Sequence, residues 1–155
     1  MTKILFVCTE NICRSPTAEA VARHAIVKAG LGAVITVDSA GTHGGHAGEP
    51  PDPRAQKIAG KRGYALSSLR ARKLEAADFQ EFDLLLAMDR EHLESMRRAC
   101  PEVYRPKLQM FMHYARNHDR EDVPDPYFGG DKGFEAVLDY CEDGVQGLLE
   151  ELIAR

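Results

Sequence analysis

The sequence predicts an α/β fold in which a parallel sheet is covered by helices on both faces. Three observations carry this prediction. Apolar runs of strand length alternate with segments of helical periodicity along the chain, the pattern of right-handed strand–helix–strand crossovers. The first of those runs, Ile4-Leu5-Phe6-Val7, is apolar at every position, as a central parallel strand buried on both sides should be. No repeat, low-complexity tract or shift of composition divides the 155 residues, so one domain over residues 1–155 is expected.

Residues 3–8 form the first strand. A helix follows from about Ser15 to Ala29. Ser15 offers a capping hydroxyl, Pro16 stands where a missing N–H is harmless, and Ala18, Val21, Ala22, Ala25, Ile26 and Ala29 make one apolar stripe. Gly30 and Gly32 end it. Residues 34–40 alternate into a second strand, and 41–51 are too rich in Gly and Pro for a regular element. Asp52-Pro53 repeats the cap-then-proline signal and opens a helix with Ala55, Ile58 and Ala59, closed by Gly60 and Gly63. Residues 74–79 form a short helix. Residues 83–88 are the third strand, Asp89 caps a helix with Leu93 and Met96 turned inward, and 107–111 are the fourth strand. A polar loop over 113–130 leads to a last helix starting at Asp131. Its Phe134, Val137, Leu138, Cys141, Val145, Leu148, Leu149, Leu152 and Ile153 share a face.

Composition narrows the function. The chain is 44% apolar and 28% charged, ordinary for a folded globular protein. No apolar run approaches the ~20 residues of a membrane span, and the apolar segment at the N-terminus is too short for a secretory signal. A cytoplasmic protein with no membrane partner is expected. A net charge of −4 argues against a general nucleic-acid surface. The four cysteines, Cys8, Cys13, Cys100 and Cys141, read as free thiols in a chain without an export signal. No second close pair of Cys or His completes a metal site around Cys8 and Cys13, and His43 and His46 read as a solvated rim, so no metal is expected.

The informative stretch is Val7-Cys8-Thr9-Glu10-Asn11-Ile12-Cys13-Arg14-Ser15-Pro16. A strand, a short loop and a helix start bring free backbone N–H groups and the positive end of a helix dipole to one point, which makes an anion site. Cys8 and Arg14, at the two ends of the loop, add a nucleophile and a planar cation able to hold two phosphate oxygens at once. The backbone of Thr9, Glu10, Asn11, Ile12, Cys13, Arg14 and Ser15 takes the rest. Asn11 tolerates left-handed backbone angles and reads as a shaper of the cradle. Ser15 reads both as helix cap and as hydroxyl partner of a Cys8 thiolate.

Joined by Asp125-Pro126-Tyr127, and by Asp38-Ser39-Ala40-Gly41-Thr42, Pro51-Asp52-Pro53-Arg54 and Met88-Asp89 between, this stretch resembles the low-molecular-weight protein tyrosine phosphatases nearly end to end. The resemblance implies a four-stranded, flavodoxin-like (Rossmann-like) sheet with the phosphate loop after the first strand, and a ligand site beyond the carboxyl ends of the strands. It implies hydrolysis of phosphotyrosine and aryl phosphates through a cysteinyl-phosphate intermediate. Cys8 would attack, Arg14 would bind the phosphoryl group and its transition state, and Asp125 would act as general acid and then base. It calls for no cofactor. Asp89 and Asp131 are better explained as helix caps. The family also uses a pair like Cys8 and Cys13 as a reversible disulfide, so a redox role for the two is expected.

His46, Tyr127 and Phe128 are the expected cleft residues. Where many relatives place an aromatic residue after the second strand, this chain has Gly44-Gly45-His46, so that wall is open or supplied by His46. Where relatives often have a histidine supporting the phosphate loop, it has Leu69. Of two tyrosines that relatives often carry after the acid, only Tyr127 remains. The partners implied are phosphotyrosine-containing proteins, among them a bacterial tyrosine autokinase.

Three other functions compete. A protein-arginine phosphatase shares the scaffold, but the apolar Ile12 suits an aromatic substrate better. A thiol-dependent arsenate reductase needs a relay of cysteines, whereas Cys100 and Cys141 fall far apart in the apolar patterns of two helices. A pure phosphate-binding module needs neither the nucleophile Cys8 nor the acid Asp125.

Overall fold

The computed structural model describes residues 1–127 and 129–154. Its central strand, β1 (Thr2–Cys8), is fully buried over Ile4–Val7, as the unbroken apolar run requires. On one side it pairs in parallel with β2 (Ile35–Gly41), Ile4 opposite Val37 and Cys8 opposite Gly41. On the other it pairs with β3 (Leu84–Ala87), Phe6 opposite Leu86, and β3 in turn carries β4 (Leu108–Met110). The order β2-β1-β3-β4, all parallel, is the flavodoxin-like order expected from the family resemblance. Its topological switch point lies between β1 and β3, so the chain leaving Cys8 and the chain leaving Ala87 part there and open a crevice.

Side chains alternate across the sheet and so divide the core in two. Ile4, Phe6, Leu84 and Leu86 pack with α1 (Arg14–Lys28), α2 (Pro53–Lys61) and α5 (Asp131–Ala154). Leu5, Val7, Leu85 and Ala87 pack with α3 (Ala76–Glu81) and α4 (Arg90–Ala99) on the other face. This is the three-layer sandwich. Beyond β4, the turn Phe111–Tyr114 pushes Phe111 edge-on against Phe6, with ring centroids 5.6 Å apart. α5 presses on that turn through Gly144 and Gly147. A Cβ on Gly147 would lie 1.8 Å from the Tyr114 carbonyl oxygen, so only glycine permits the contact. No helix among the described residues is long and apolar enough to cross a membrane.

The element boundaries differ from the sequence reading in instructive ways. α1 begins at Arg14, and its N-cap residue is Cys13 with no side-chain cap, so Ser15 lies inside the first turn and is not the cap. The reason is local: both the backbone N–H and the hydroxyl of Thr17 bond to the Cys13 carbonyl, and they close the first turn one residue early. At the other end the chain leaves α1 after Lys28. Ala29 is exposed, and Gly30 takes the left-handed φ of 72° that ends the helix. Gly60 falls within α2, and Gly63, at φ 90°, reverses the chain beyond it. The short helix predicted over 74–79 sits at Ala76–Glu81 because the Asp78 carboxylate accepts from the Glu75 N–H and sets its start. The fourth strand is trimmed to Leu108–Met110 by a 3-10 turn, Glu102–Lys107, before it and by Phe111–Tyr114 after it. Asp131 is the first residue of α5 rather than the cap before it, and Ile153, expected on its buried face, is 61% exposed near the end of the helix.

Candidate active site

The loop between β1 and α1 is shaped by where its carbonyl groups go. Those of Cys8 and Thr9 accept from Thr42 N and His43 N at 2.8 and 2.9 Å, and those of Ile12 and Cys13 accept from Asp52 N and Thr17 N at 2.8 and 3.3 Å. Because a trans peptide sets N–H opposite C=O, the N–H groups of residues 9, 10, 13 and 14 face away from these partners, toward the concave side. The loop turns at Asn11, which takes the left-handed φ of 60° expected of it. Asp52, the cap of α2 through an Arg54 N–H to Oδ1 bond of 2.8 Å, therefore also braces the loop from outside.

Behind the loop runs a buried chain of hydrogen bonds that ends at Cys8. The Asn11 amide nitrogen donates to Ser15 Oγ at 2.7 Å and to Ser39 Oγ at 2.9 Å, and its Oδ1 accepts from Arg72 N at 3.0 Å. Ser39 passes its own proton to Glu19 Oε1 at 2.6 Å. Glu19 is held in turn by Arg23 at 2.8 Å, and burial first, then those two partners, set its pKa, on balance upward. Ser15 Oγ, accepting from Asn11, also lies 2.9 Å from Cys8 Sγ, and its hydroxyl proton is available to a thiolate there. Leu69, which stands where relatives often have a supporting histidine, packs on the core instead. Support for the loop comes from Ser39, Glu19 and the backbone of Arg72, which sequence reasoning had not singled out. A glutamate within an apolar helical stripe, with Arg23 one turn on, was the available signal.

Arg14, almost wholly buried, is held at both terminal nitrogens. Its NH1 donates to Asp89 Oδ2 at 2.7 Å and to the Val123 carbonyl at 3.0 Å. Its NH2 lies 3.3 Å from His92 Nε2. Asp89 does cap α4, through His92 N to Oδ1 at 2.9 Å, but its other oxygen fixes the guanidinium, a second task the cap reading left out. His92, with its side chain 3% exposed, sits between Asp89 and the loop, with Nδ1 3.1 Å from Asp89 Oδ1 and Nε2 2.8 Å from Thr9 Oγ1. Burial first, and then the charge of Arg14, lower its pKa from 6.5 to about 4. A ring neutral in the fold but protonated when unfolded stabilises the native state fully above its unfolded pKa and loses that contribution as pH falls through the folded one. Between pH 6.5 and 4 the stability measured by denaturant unfolding should therefore fall through this residue as pH is lowered. His92→Asn should flatten that part of the curve, and an unchanged slope would contradict the assignment.

Asp125 reaches the cleft from the segment after β4. Val123 anchors that segment: it donates its N–H to the Met88 carbonyl at 2.8 Å and is itself fully buried. Two residues on, the Asp125 side chain is 54% exposed, with Oδ2 3.8 Å from Arg14 NH2 and Oδ1 accepting from Tyr127 N at 3.0 Å. The resulting cleft of about 300 Å³ brings Cys8, Arg14, Asp125, His46 and Tyr127 together, with Thr9, Glu10, Ile12 and Cys13 lining it. Asn11 and Ser15 stand behind the loop, and Phe128 lies outside the described residues. The Arg54 guanidinium lies over the Tyr127 ring, 5.3 Å from its centre. Burial, and then the nearby Asp52, push the Cys13 thiol up to about 12, so it is protonated at neutral pH. Neither Cys100 nor Cys141 lines the cleft, and burial raises both thiols. Cys141 packs in the same core cluster as Cys8 and Cys13, and Cys100 packs on the other face of the sheet. Cys100 also ends α4 as its C-cap rather than lying inside it.

A phosphate-sized cradle with a cysteine on its floor, set at the switch point of a flavodoxin-like sheet, marks a hydrolase of phosphoric monoesters. Comparison with known proteins gives the family. A family model described as low molecular weight phosphotyrosine protein phosphatase matches residues 3–155. A putative low molecular weight protein-tyrosine-phosphatase of Synechocystis sp. is 46% identical over 97% of this chain and 96% of its own. The human low molecular weight phosphotyrosine protein phosphatase is 36% identical over 96% and 94%. The crystal structure of a protein tyrosine phosphatase from Entamoeba histolytica superposes with a TM-score of 0.97 at 38% identity, covering 99% of this chain and 98% of that one. The chain belongs to the low molecular weight phosphotyrosine protein phosphatase family.

Proposed function

We propose that the protein hydrolyses phosphotyrosine in proteins, and aryl phosphates generally, through a phosphocysteine formed on Cys8. The observation that carries this reading is the hydrogen-bond chain from Asn11 through Ser15 to Cys8 Sγ. A hydroxyl proton aimed at sulfur stabilises a thiolate, and the α1 N-terminus adds its dipole. The thiolate attacks phosphorus in line with the phenolic oxygen. The S–P bond forms as the P–O bond to the ring breaks, and Asp125 gives its proton to the departing oxygen. Arg14 and the loop N–H groups take the charge that builds on the three equatorial oxygens. Water then attacks the phosphocysteine, Asp125 takes its proton, and phosphate leaves with the thiolate restored. Ile12 and the half-exposed Tyr127 ring give the cleft the apolar walls a phenyl ring needs, which favours phosphotyrosine over phosphoarginine.

The natural substrates on this reading are phosphotyrosine-bearing proteins, and a tyrosine autokinase is the partner the resemblance implies. Cys13 serves a second purpose. When a peroxide oxidises Cys8 to its sulfenic acid, the Cys13 thiol displaces water from that sulfur, and the disulfide holds Cys8 short of irreversible oxidation until a thiol reductant restores it.

The test is a stopped-flow assay with p-nitrophenyl phosphate. A phosphoenzyme that forms faster than it breaks down releases about one equivalent of p-nitrophenolate per enzyme as a burst. Asp125→Ala should lower turnover about a hundredfold, and by more for phenols that leave less readily. A loss that does not depend on the leaving group would remove Asp125 from the acid role.

A further inference from the structure

Glu10 is the lining residue of the phosphate loop that this chemistry leaves unused. It stands on the cleft wall beside Thr9 and His46, and its Oε2 atom is buried with no hydrogen-bond partner among the described residues. A carboxylate here is unfavourable on two counts. A buried oxygen without a donor forgoes the bonds water gave it, and a negative charge next to a phosphoryl dianion opposes binding. The space it fills exists because residue 45 is glycine: a Cβ on Gly45 would lie 2.9 Å from Glu10 Oε2. A carboxylate thus occupies the side of the cleft next to Gly44-Gly45-His46.

Most charges around the mouth are acidic, the exposed Lys73 against Gly44 being the exception. The Asp125 side chain is half exposed, and Glu49, also exposed, holds His46 Nδ1 at 2.8 Å. Two further cations are engaged: Arg14 lies on the floor against Asp89, and Arg54 pairs with Asp52 at 2.9 Å while covering the Tyr127 ring. The cleft therefore has a positive floor and a mainly acidic rim. The ligand that matches both carries a dianion at its tip and a cation at its side.

We propose that Glu10 is a specificity residue that selects phosphotyrosine with a lysine or arginine beside it in sequence. The substrate's ammonium or guanidinium pairs with the Glu10 carboxylate from the open side of the cleft, and phosphotyrosine flanked by acidic residues is turned away. The inference rests on the phosphatase reading above. It is tested with two phosphotyrosyl peptides of equal length, one with lysines and one with glutamates next to the phosphotyrosine. kcat/KM should favour the lysine peptide about tenfold at low salt, and the ratio should shrink at about 0.5 M salt. In Glu10→Gln, which keeps the shape and removes the charge, the ratio should fall to about twofold, mainly because the acidic peptide improves. A wild-type ratio near one overturns the proposal. So does a ratio that survives Glu10→Gln, which would belong to Asp125 and Glu49 instead. p-Nitrophenyl phosphate, assayed alongside, has no neighbouring residue. Its turnover without peptide discrimination defeats the Glu10 assignment alone, whereas no turnover defeats the hydrolytic reading.

Discussion

Cys8→Ser lowers turnover of p-nitrophenyl phosphate by about ten-thousandfold or more, while the variant still binds inorganic phosphate. The two halves of this expectation rest on different atoms. Turnover needs a nucleophile that is already an anion, and a serine hydroxyl stays protonated where a thiol can ionise. The proton that Ser15 directs at sulfur would face a neutral oxygen instead. Binding depends on the loop N–H groups and Arg14; the loop carbonyls accept from Asp52, Thr42 and His43, and Arg14 donates to Asp89 and the Val123 carbonyl, none of it through the Cys8 side chain. Steady-state rates check the first half, and a phosphate-dependent rise in melting temperature checks the second. Turnover within tenfold of wild type would remove Cys8 from the reaction. Lost phosphate binding would mean that the substitution had collapsed the cradle.

Arg14→Lys should cost about a thousandfold in kcat and raise KM far less. Arg14 spans two directions at once. One terminal nitrogen is held by Asp89 and the Val123 carbonyl, and the other faces His92 and, at 3.8 Å, Asp125, the proposed acid. The anchored nitrogen fixes the plane of the group, so the other can meet the phosphoryl oxygens without reorganising as charge builds there. A lysine carries the charge but not the fork. It can satisfy Asp89 or the phosphoryl group, and it leaves the buried Val123 carbonyl without its donor. The melting temperature should fall as well. A kcat within tenfold of wild type would show that charge alone suffices.

Much of this was legible in the sequence, because the strongest signals are local. The unbroken apolar run of β1, the cap-then-proline of Asp52-Pro53 and the tolerance of Asn11 for a left-handed turn each act over a few residues, and each appears as read. The spacing of Cys8 and Arg14 likewise encodes a loop that the fold then closes. What could not be read is pairing across the sheet. Asp89 sits at a helix start, where capping fully explains an aspartate, and nothing in the chain says that its second oxygen meets an arginine on another element. Ser15 shows the same limit from the other side. The sequence marks a hydroxyl near a helix start, but whether it caps depends on where the turn closes, which Thr17 decides. His92 left a faint trace, as the third residue after a capping aspartate.

The site is assembled from parts of unequal tenacity. Cys8, the proposed nucleophile, ends β1, which pairs with β2 over its whole length and with β3 over Ile4–Val7, so releasing the phosphate cradle means splitting the middle of the sheet. Asp125, the proposed acid, rides on a connecting segment tied to that framework by a few hydrogen bonds around Val123 and Asp122. Partial opening under mild denaturation should thus reach the proposed proton donor before the anion pocket. On the proposed roles, phosphate capture should outlive phosphate cleavage, and the fold should keep hold of its ligand after it has lost the means to turn it over.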